Sequence, residues 1–148
     1  MTSLTLFLRQ TLLVLFTLFC GLSNAQKENE DTCFKAHLYN KEYDVFIKMD
    51  FYDMNVNVPS HELYGPVAGY LGHTPSTFYW IILSAETKGR TAKIQMVNDY
   101  GSEDLEATLK QLNDSTYQLT QGNGSSIKLP NKGKWMKLPR TLEFKVKP

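Results

Sequence analysis

Cysteine is nearly absent from this chain, with two residues in 148. Cys20 lies in an amino-terminal segment that we expect to be removed, so Cys33 has no intrachain partner. The sequence therefore excludes the disulfide framework that stabilises many small secreted domains of animals, and it favours a bacterial exported protein or a core that is stable without cross-links. No activating motif flanks Cys33, and we expect a structural thiol there.

The chain also lacks an excess of either positive or negative side chains. The chain has 16 basic and 15 acidic side chains. Arg9 belongs to the segment that we expect to be removed, which leaves equal numbers of the two signs. The charges are spread along the chain, a pattern typical of solvated faces. Without a basic field, the sequence predicts no nucleic-acid partner.

Catalytic and cofactor motifs are missing as well. The chain contains no G-x-S-x-G element, no phosphate-binding glycine loop and no C-x-x-C pair. His37, His61 and His73 lie far apart and lack the spacing of metal ligands. His61 and His73 could converge at one mouth of a barrel as a metal or acid–base site, although solvated loop histidines are the more ordinary interpretation. The sequence predicts no enzyme, no cofactor and no bound metal.

Long apolar runs are limited to residues 11–22, at the amino terminus. Arg9 precedes this run, and Ser23-Asn24-Ala25 places small residues before Gln26, which is the pattern of a secretory signal peptide spanning residues 1–25. The run is shorter than the roughly 20 residues that span a bilayer. We therefore expect cleavage near Ala25, a secreted or periplasmic protein and no stable membrane insertion. Polar residues 26–32 predict a disordered lead-in, followed by one domain over residues 33–148.

Alternation of apolar and polar residues with a period of two dominates residues 33–148. A change of phase near Tyr52-Asp53 indicates a bulge or bend, and the prolines of residues 59–66 indicate a loop. Residues 103–109 have a helix-like composition, but their alternation favours a strand. The sequence predicts an all-β antiparallel meander of about nine or ten short strands that forms a closed or nearly closed barrel, with a β-sandwich as the alternative. The predicted strands are 34–39, 43–51, 67–71, 77–84, 91–97, 105–110, 117–121, 126–129, 134–137 and 141–147.

Aromatic residues provide the main indication of an interaction surface. In the strand 77–84, both alternating sets of side chains are apolar, so both faces should be covered. One set belongs to the core, and the other needs a loop, a partner protein or a ligand as its cover. We expect a non-enzymatic binding protein that holds an unknown small apolar molecule, or another protein, in a barrel cavity or on an aromatic face. The candidate binding residues are Tyr64, Tyr70, His73, Tyr79 and Trp80.

A second hypothesis is a protein inhibitor or immunity-like factor that docks through the loop 59–66. Its two prolines would pre-order the loop and lower the entropy lost on docking. An aromatic patch that faces outward could equally be a dimer interface, so the oligomeric state stays open.

Short motifs carry a resemblance to known proteins. Gly133-Lys134-Trp135 is similar to the Gly-x-Trp element of lipocalin- and avidin-like barrels, although in lipocalins that element belongs to the first strand. Over nearly all of residues 26–148, the chain resembles a group of small secreted β-proteins of Bacteroidetes-type bacteria. The resemblance implies a meander barrel in an exported bacterial protein, and it implies no catalytic or binding residue. The motifs are Ser23-Asn24-Ala25-Gln26, Val67–Leu71, Asn98–Gly101, Gly133–Trp135, Leu138-Pro139 and Leu142–Phe144.

Overall fold

Ten β-strands make up the fold in the computed structural model, which describes residues 32–148. The only helical element in this part of the chain is a 3₁₀ turn at Glu62–Tyr64. The predicted signal peptide, and the predicted lead-in up to residue 31, lie outside the described residues. The strands are β1 Lys35–Asn40, β2 Val45–Asp50, β3 Gly69–His73, β4 Tyr79–Lys88, β5 Thr91–Val97, β6 Asp104–Asn113, β7 Thr116–Gly124, β8 Lys128–Asn131, β9 Lys134–Lys137 and β10 Thr141–Val146.

Eight of the strands close into one antiparallel barrel in the order β1-β10-β7-β6-β5-β4-β3-β2. The first and last strands complete it, with Leu38 paired to Val146 and Tyr39 paired to Lys145. Closure removes the unpaired edges that an open sheet would present to solvent. The predicted all-β barrel is thus confirmed, and the sandwich alternative is excluded. Residues 103–109 fall mainly in β6, as their alternation predicted.

Packed side chains fill the barrel. Twenty-four buried apolar residues form one cluster, in which Trp80, Phe34 and Phe144 are the largest fully buried side chains. The cluster arises from strict alternation, since Ala92, Ile94 and Met96 of β5 point inward while the residues between them are exposed. No helix within residues 32–148 is long and apolar enough to cross a membrane.

The hairpin β8–β9 closes one end of the barrel, which we call the hairpin end. The indole Nε1 of Trp80 donates a hydrogen bond of 3.0 Å to the carbonyl of Lys128 at the start of β8. Ile127, Leu129 and Leu138 add apolar side chains to the barrel core at this end. Trp135 of the Gly-x-Trp element is itself 56% exposed, so leucine and isoleucine side chains close this end of the barrel.

A long segment, residues 51–68, connects β2 to β3. It begins with a tight turn at residues 51–53, where the chain bends as the change of apolar phase predicted. Val56 then forms an isolated antiparallel bridge with Val67. Between these two residues the segment runs along the outside of β3 and β4 to the hairpin end, where the loop 59–66 forms its tip.

Candidate binding surfaces at the hairpin end

The outer faces of β3 and β4 carry an apolar cluster that we call the outer aromatic cluster. Tyr70 and Tyr79 pack edge to face, with ring centroids 5.1 Å apart, and Phe46 packs in the same way on Tyr70 at 5.9 Å. Val56, Val58, Val67 and Tyr64 of the β2–β3 segment cover these rings. Only 6% of Tyr70 and 8% of Tyr79 remains exposed, and burial, with Tyr79 nearby, raises the pKa of the Tyr70 hydroxyl. The β2–β3 segment of the chain itself therefore covers the second apolar face that the sequence predicted for the strand 77–84.

His61 attaches the loop tip to the barrel. Its Nε2 contacts the carboxylate of Asp99 in the β5–β6 turn, and its Nδ1 lies 2.8 Å from the carbonyl oxygen of Pro59. The ring also stacks on Tyr64 and meets Tyr79 edge to face at 5.8 Å. These contacts hold the loop 59–66 against the hairpin end.

The five binding residues expected from the sequence fall into three places. Tyr64, Tyr70 and Tyr79 meet in the outer aromatic cluster. Trp80 points into the barrel, because neighbouring residues of a strand face opposite sides of the sheet. His73 lies at the end of β3, where its Nδ1 is 3.0 Å from the carbonyl oxygen of Asp44 in the β1–β2 turn. The structure thus brings three of the five together, and it buries all of them except Tyr64.

Three other aromatic residues form an exposed surface that we call the aromatic cleft. Phe78 lies at its base, buried, and meets Tyr100 at 5.3 Å and Trp135 at 5.2 Å, each edge to face. Tyr100 is 72% exposed and Trp135 is 56% exposed. The cleft between them has a volume of about 220 Å³, and its polar lining consists of Asn98, Ser102, Glu103 and Lys128.

The turn that carries Tyr100 is held in one conformation by Asn98, which is 3% exposed. The Asn98 Oδ1 accepts hydrogen bonds from the backbone amides of Ser102 at 2.9 Å and Glu103 at 3.2 Å. Its Nδ2 donates to the Ser102 hydroxyl and to the Glu103 carboxylate. Because every polar atom of this side chain is satisfied within the turn, the backbone that carries Tyr100 is well positioned before any ligand arrives.

The sequence reasoning missed the aromatic cleft. Tyr100 and Trp135 each lie in or beside a polar turn, and aromatic residues in turns are a signal that could have identified them. Both residues contact Phe78 only because the hairpin β8–β9 folds back over the barrel. No local sequence pattern encodes this arrangement.

The loop 59–66 presents a third exposed apolar residue at this end. Leu63, in the 3₁₀ turn, is fully exposed, while its neighbour Tyr64 packs on the barrel. The Tyr64 hydroxyl lies beside Gly101, in the same turn as Tyr100. The three most exposed large apolar side chains of residues 32–148 therefore belong to elements that meet at the hairpin end: Leu63, Tyr100 and Trp135.

The fold and these surfaces define a closed eight-stranded antiparallel meander barrel with a packed interior and an aromatic cleft at one end. The chain matches no protein-family model, no curated protein and no solved structure. Within residues 32–148, no group of three or more histidine, cysteine, aspartate or glutamate side chains is arranged to hold a metal ion.

Proposed function

We propose that the chain is an exported, non-enzymatic binding protein whose ligand occupies the aromatic cleft. The observation that carries the proposal is the exposure of Tyr100 and Trp135 on either side of the buried Phe78 ring. Exposed tryptophan and tyrosine on rigid supports are the residues that contribute most to binding energy in protein recognition. The export pattern in residues 1–25 supports a role outside the cytoplasm.

The size and chemistry of the cleft favour a single ring as the bound group. Its volume of about 220 Å³ is below the range of roughly 300–1,000 Å³ that drug-sized ligands occupy. Three aromatic side chains offer an apolar surface, while Glu103 and Lys128 offer an acceptor and a donor at its edge. The cleft therefore fits a ring with one apolar face and polar substituents, carried by a small molecule.

Native mass spectrometry of the protein from its own host tests this proposal. We expect a small molecule to be retained by the natural protein and lost from the Trp135→Ala and Tyr100→Ala variants. Leu112→Ala is the matched control, because Leu112 is 40% exposed on β6 at the opposite end of the barrel. Retention of the molecule by both cleft variants, or its equal loss from the control, would show that it does not occupy the cleft.

Direct titration gives a second measurement that does not depend on the natural ligand. Phenol serves as a one-ring probe, and its binding is monitored by the fluorescence emission of Trp135 in a Trp80→Phe background. We expect a blue shift as the probe removes Trp135 from water, and we expect no such shift after Phe78→Ala or Tyr100→Ala. An emission spectrum that phenol leaves unchanged up to its solubility limit would argue against the cleft as a ring-binding site.

A second candidate function is protein inhibition through the loop 59–66. The specific observation in its favour is Leu63, which is fully exposed at the tip of a loop that His61 and Tyr64 hold in place. We expect a partner captured by the natural protein to be lost from Leu63→Asp and kept by Leu83→Asp, since Leu83 is an exposed leucine on β4. Equal capture by both variants would remove this candidate.

A further inference from the structure

A second groove lies at the hairpin end, between the end of β7 and the return of the chain from β9 to β10. It has a volume of about 580 Å³, within the range typical of small-molecule sites. Its lining comes from Gln121, Gly122 and residues 124–126 on one side and from residues 137–140 on the other. The hairpin β8–β9 thus contributes Trp135 to the aromatic cleft and Lys137 to this groove. We call it the cationic groove.

The charge of this groove has one sign. Lys137 and Arg140 line it, and none of its lining residues carries a carboxylate. Within residues 32–148, neither cation forms an ion pair with an acidic side chain, whereas Lys35 and Arg90 do. Two cations without a protein counter-ion favour an anionic ligand, because burying their charge against a ligand anion gives strong, charge-assisted hydrogen bonds.

Two hydrogen bonds anchor Arg140 to Gln121. Its Nε donates a hydrogen bond of 3.2 Å to the carbonyl of Gln121, and its own carbonyl accepts a bond of 2.8 Å from the Gln121 amide. With Nε bonded to the Gln121 carbonyl, the two terminal nitrogens of the guanidinium can still donate hydrogen bonds to a ligand. A guanidinium held in this way matches the oxygens of a phosphate with two parallel hydrogen bonds.

Gln121 fixes the floor of the groove and is 6% exposed. Its Nε2 donates to the carbonyl of Pro139 at 2.9 Å, and its Oε1 accepts from the amide of Ile127 at 2.7 Å. One buried side chain therefore ties both walls together. A site whose walls are already tied loses little conformational entropy when a ligand binds.

Two glycines, Gly122 and Gly124, line the groove on the β7 side, at positions where β6 packs closely against the backbone. A Cβ at Gly122 would lie 2.8 Å from the carbonyl oxygen of Glu106, and Gly124 has a φ of +111°. Neither position accepts a side chain without strain. The wall that follows β7 consequently offers main chain and the hydroxyls of Ser125 and Ser126, which donate hydrogen bonds to anionic oxygens.

We propose that the cationic groove binds the phosphate group of a small phosphorylated molecule. Arg140 and Lys137 contact the phosphate, and the serine hydroxyls complete its hydrogen bonds. The groove is much larger than a free phosphate ion, so the rest of its volume holds the organic part of the ligand. This proposal does not depend on the aromatic cleft, and either can fail without the other.

Nuclear magnetic resonance titration of the isotope-labelled protein at low ionic strength tests the proposal. The probes are glucose 6-phosphate, glucose and inorganic phosphate. We expect glucose 6-phosphate to shift the amide signals of residues 121–126 and 137–140, to bind more tightly than inorganic phosphate, and to leave the signals around Tyr100 and Trp135 unchanged. Glucose should produce no shift.

The variants Lys137→Gln and Arg140→Gln should each weaken binding of glucose 6-phosphate by about tenfold. Lys132→Gln and Lys134→Gln are the matched controls, because they remove the same charge from exposed positions of the same hairpin, and they should bind as the natural protein does. Lys137→Gln keeps the hydrogen bonds of Gln121, so it remains informative if Arg140→Gln lowers stability.

Three results would overturn the proposal. The first is equal binding of glucose and glucose 6-phosphate, which would assign the groove to a sugar. The second is equal weakening in the control variants, which would reduce the effect to general electrostatics. The third is an affinity for inorganic phosphate as high as the affinity for glucose 6-phosphate, or the absence of any shift of the groove signals with these two compounds. Either observation would exclude a phosphorylated organic molecule as the ligand of the groove.

Discussion

The imidazole of His61, in the β2–β3 segment, contacts the carboxylate of Asp99, in the β5–β6 turn. This contact joins the loop that presents Leu63 to the turn that presents Tyr100. Asp99 also accepts a hydrogen bond of 3.3 Å from the amide of Tyr79, at the start of β4. Two exposed apolar residues at the hairpin end are therefore positioned by one pair of partly buried polar side chains.

Loss of this contact should loosen the loop without unfolding the barrel. In His61→Ala, we expect faster hydrogen exchange at the amides of Tyr64 and Gly65, whose hydrogen bonds lie within the loop, and a loss of about 1–2 kcal/mol of stability. Hydrogen-exchange mass spectrometry measures the first effect, and urea denaturation measures the second. Glu62→Ala, at the exposed neighbouring position, should change neither. Unchanged exchange in His61→Ala would show that His61 does not hold the loop.

The same substitution should affect stability much more at Trp80 than at Trp135. Trp80 is fully buried and bonds to the Lys128 carbonyl, so Trp80→Phe leaves a small void and an unpaired carbonyl beneath the hairpin. We expect a loss of about 1–3 kcal/mol in the free energy of unfolding. Trp135→Phe, at a half-exposed position, should change it by less than about 0.5 kcal/mol. Similar values for the two variants in urea denaturation would contradict the assignment of Trp80 to the core.

Asp50 should contribute to the acid dependence of stability. Its Oδ1 accepts hydrogen bonds from the amides of Tyr52 and Asp53, and its Oδ2 lies 3.2 Å from the Lys35 ammonium. The hydrogen bond from the Asp53 amide, assisted by Lys35 and by the Tyr52 amide, lowers the pKa of the Asp50 carboxyl below its usual 3.8, against the opposing effect of burial. A lowered pKa means that the stabilisation is complete above about pH 4 and disappears as the pH falls through the value of the folded state.

The variant Asp50→Asn tests this assignment. The amide oxygen can still accept from Tyr52 and Asp53, so the turn is retained, but the titration is removed. Between about pH 4 and pH 2, the free energy of unfolding should therefore fall less steeply in Asp50→Asn than in the natural protein. Asp114→Asn, at an exposed turn, removes the same charge and should follow the natural protein. Parallel pH profiles for the natural protein and Asp50→Asn would show that Asp50 does not carry the effect.

Gln121 should be among the most sensitive polar positions of the barrel. Gln121→Leu removes the hydrogen-bond partner of the buried Ile127 amide and of the partly buried Pro139 carbonyl. We expect a loss of about 2–4 kcal/mol in the free energy of unfolding, because unsatisfied buried polar groups cost more than a hydrogen bond contributes. Gln118→Leu, on the outer face of the same strand, should change it by less than about 1 kcal/mol. Thermal denaturation of both variants distinguishes the two positions.

The strands could be predicted from the sequence because their signal is local. Ala92, Ile94 and Met96 alternate with exposed neighbours, and the predicted strand 91–97 coincides with β5. The ends of longer strands were harder to predict. The predicted strand 77–84 continues in the structure to Lys88, where pairing with Thr91 extends β4 beyond its apolar residues.

The candidate site was only partly predictable. Alternation alone places Tyr79 and Trp80 on opposite faces of β4, so the sequence already contained the reason that these two residues cannot share a surface. The sequence left three possible covers for the outer aromatic cluster: a loop, a partner protein or a ligand. In the structure the loop covers it, and the contact of His61 with Asp99 holds the loop there. Such a contact between distant residues has no local signature.

The sequence by itself determined that this protein is an all-β meander of short strands, because the period of two between apolar and polar residues acts within each strand. It also determined that both faces of β4 need a cover, since both of its alternating sets are apolar. The tertiary structure alone decided that β1 pairs with β10, that the loop 59–66 covers the outer aromatic cluster, and that Phe78, Tyr100 and Trp135 meet in one cleft. These outcomes depend on pairing and packing between residues far apart in the chain, whose register is set by the whole barrel and by no single segment.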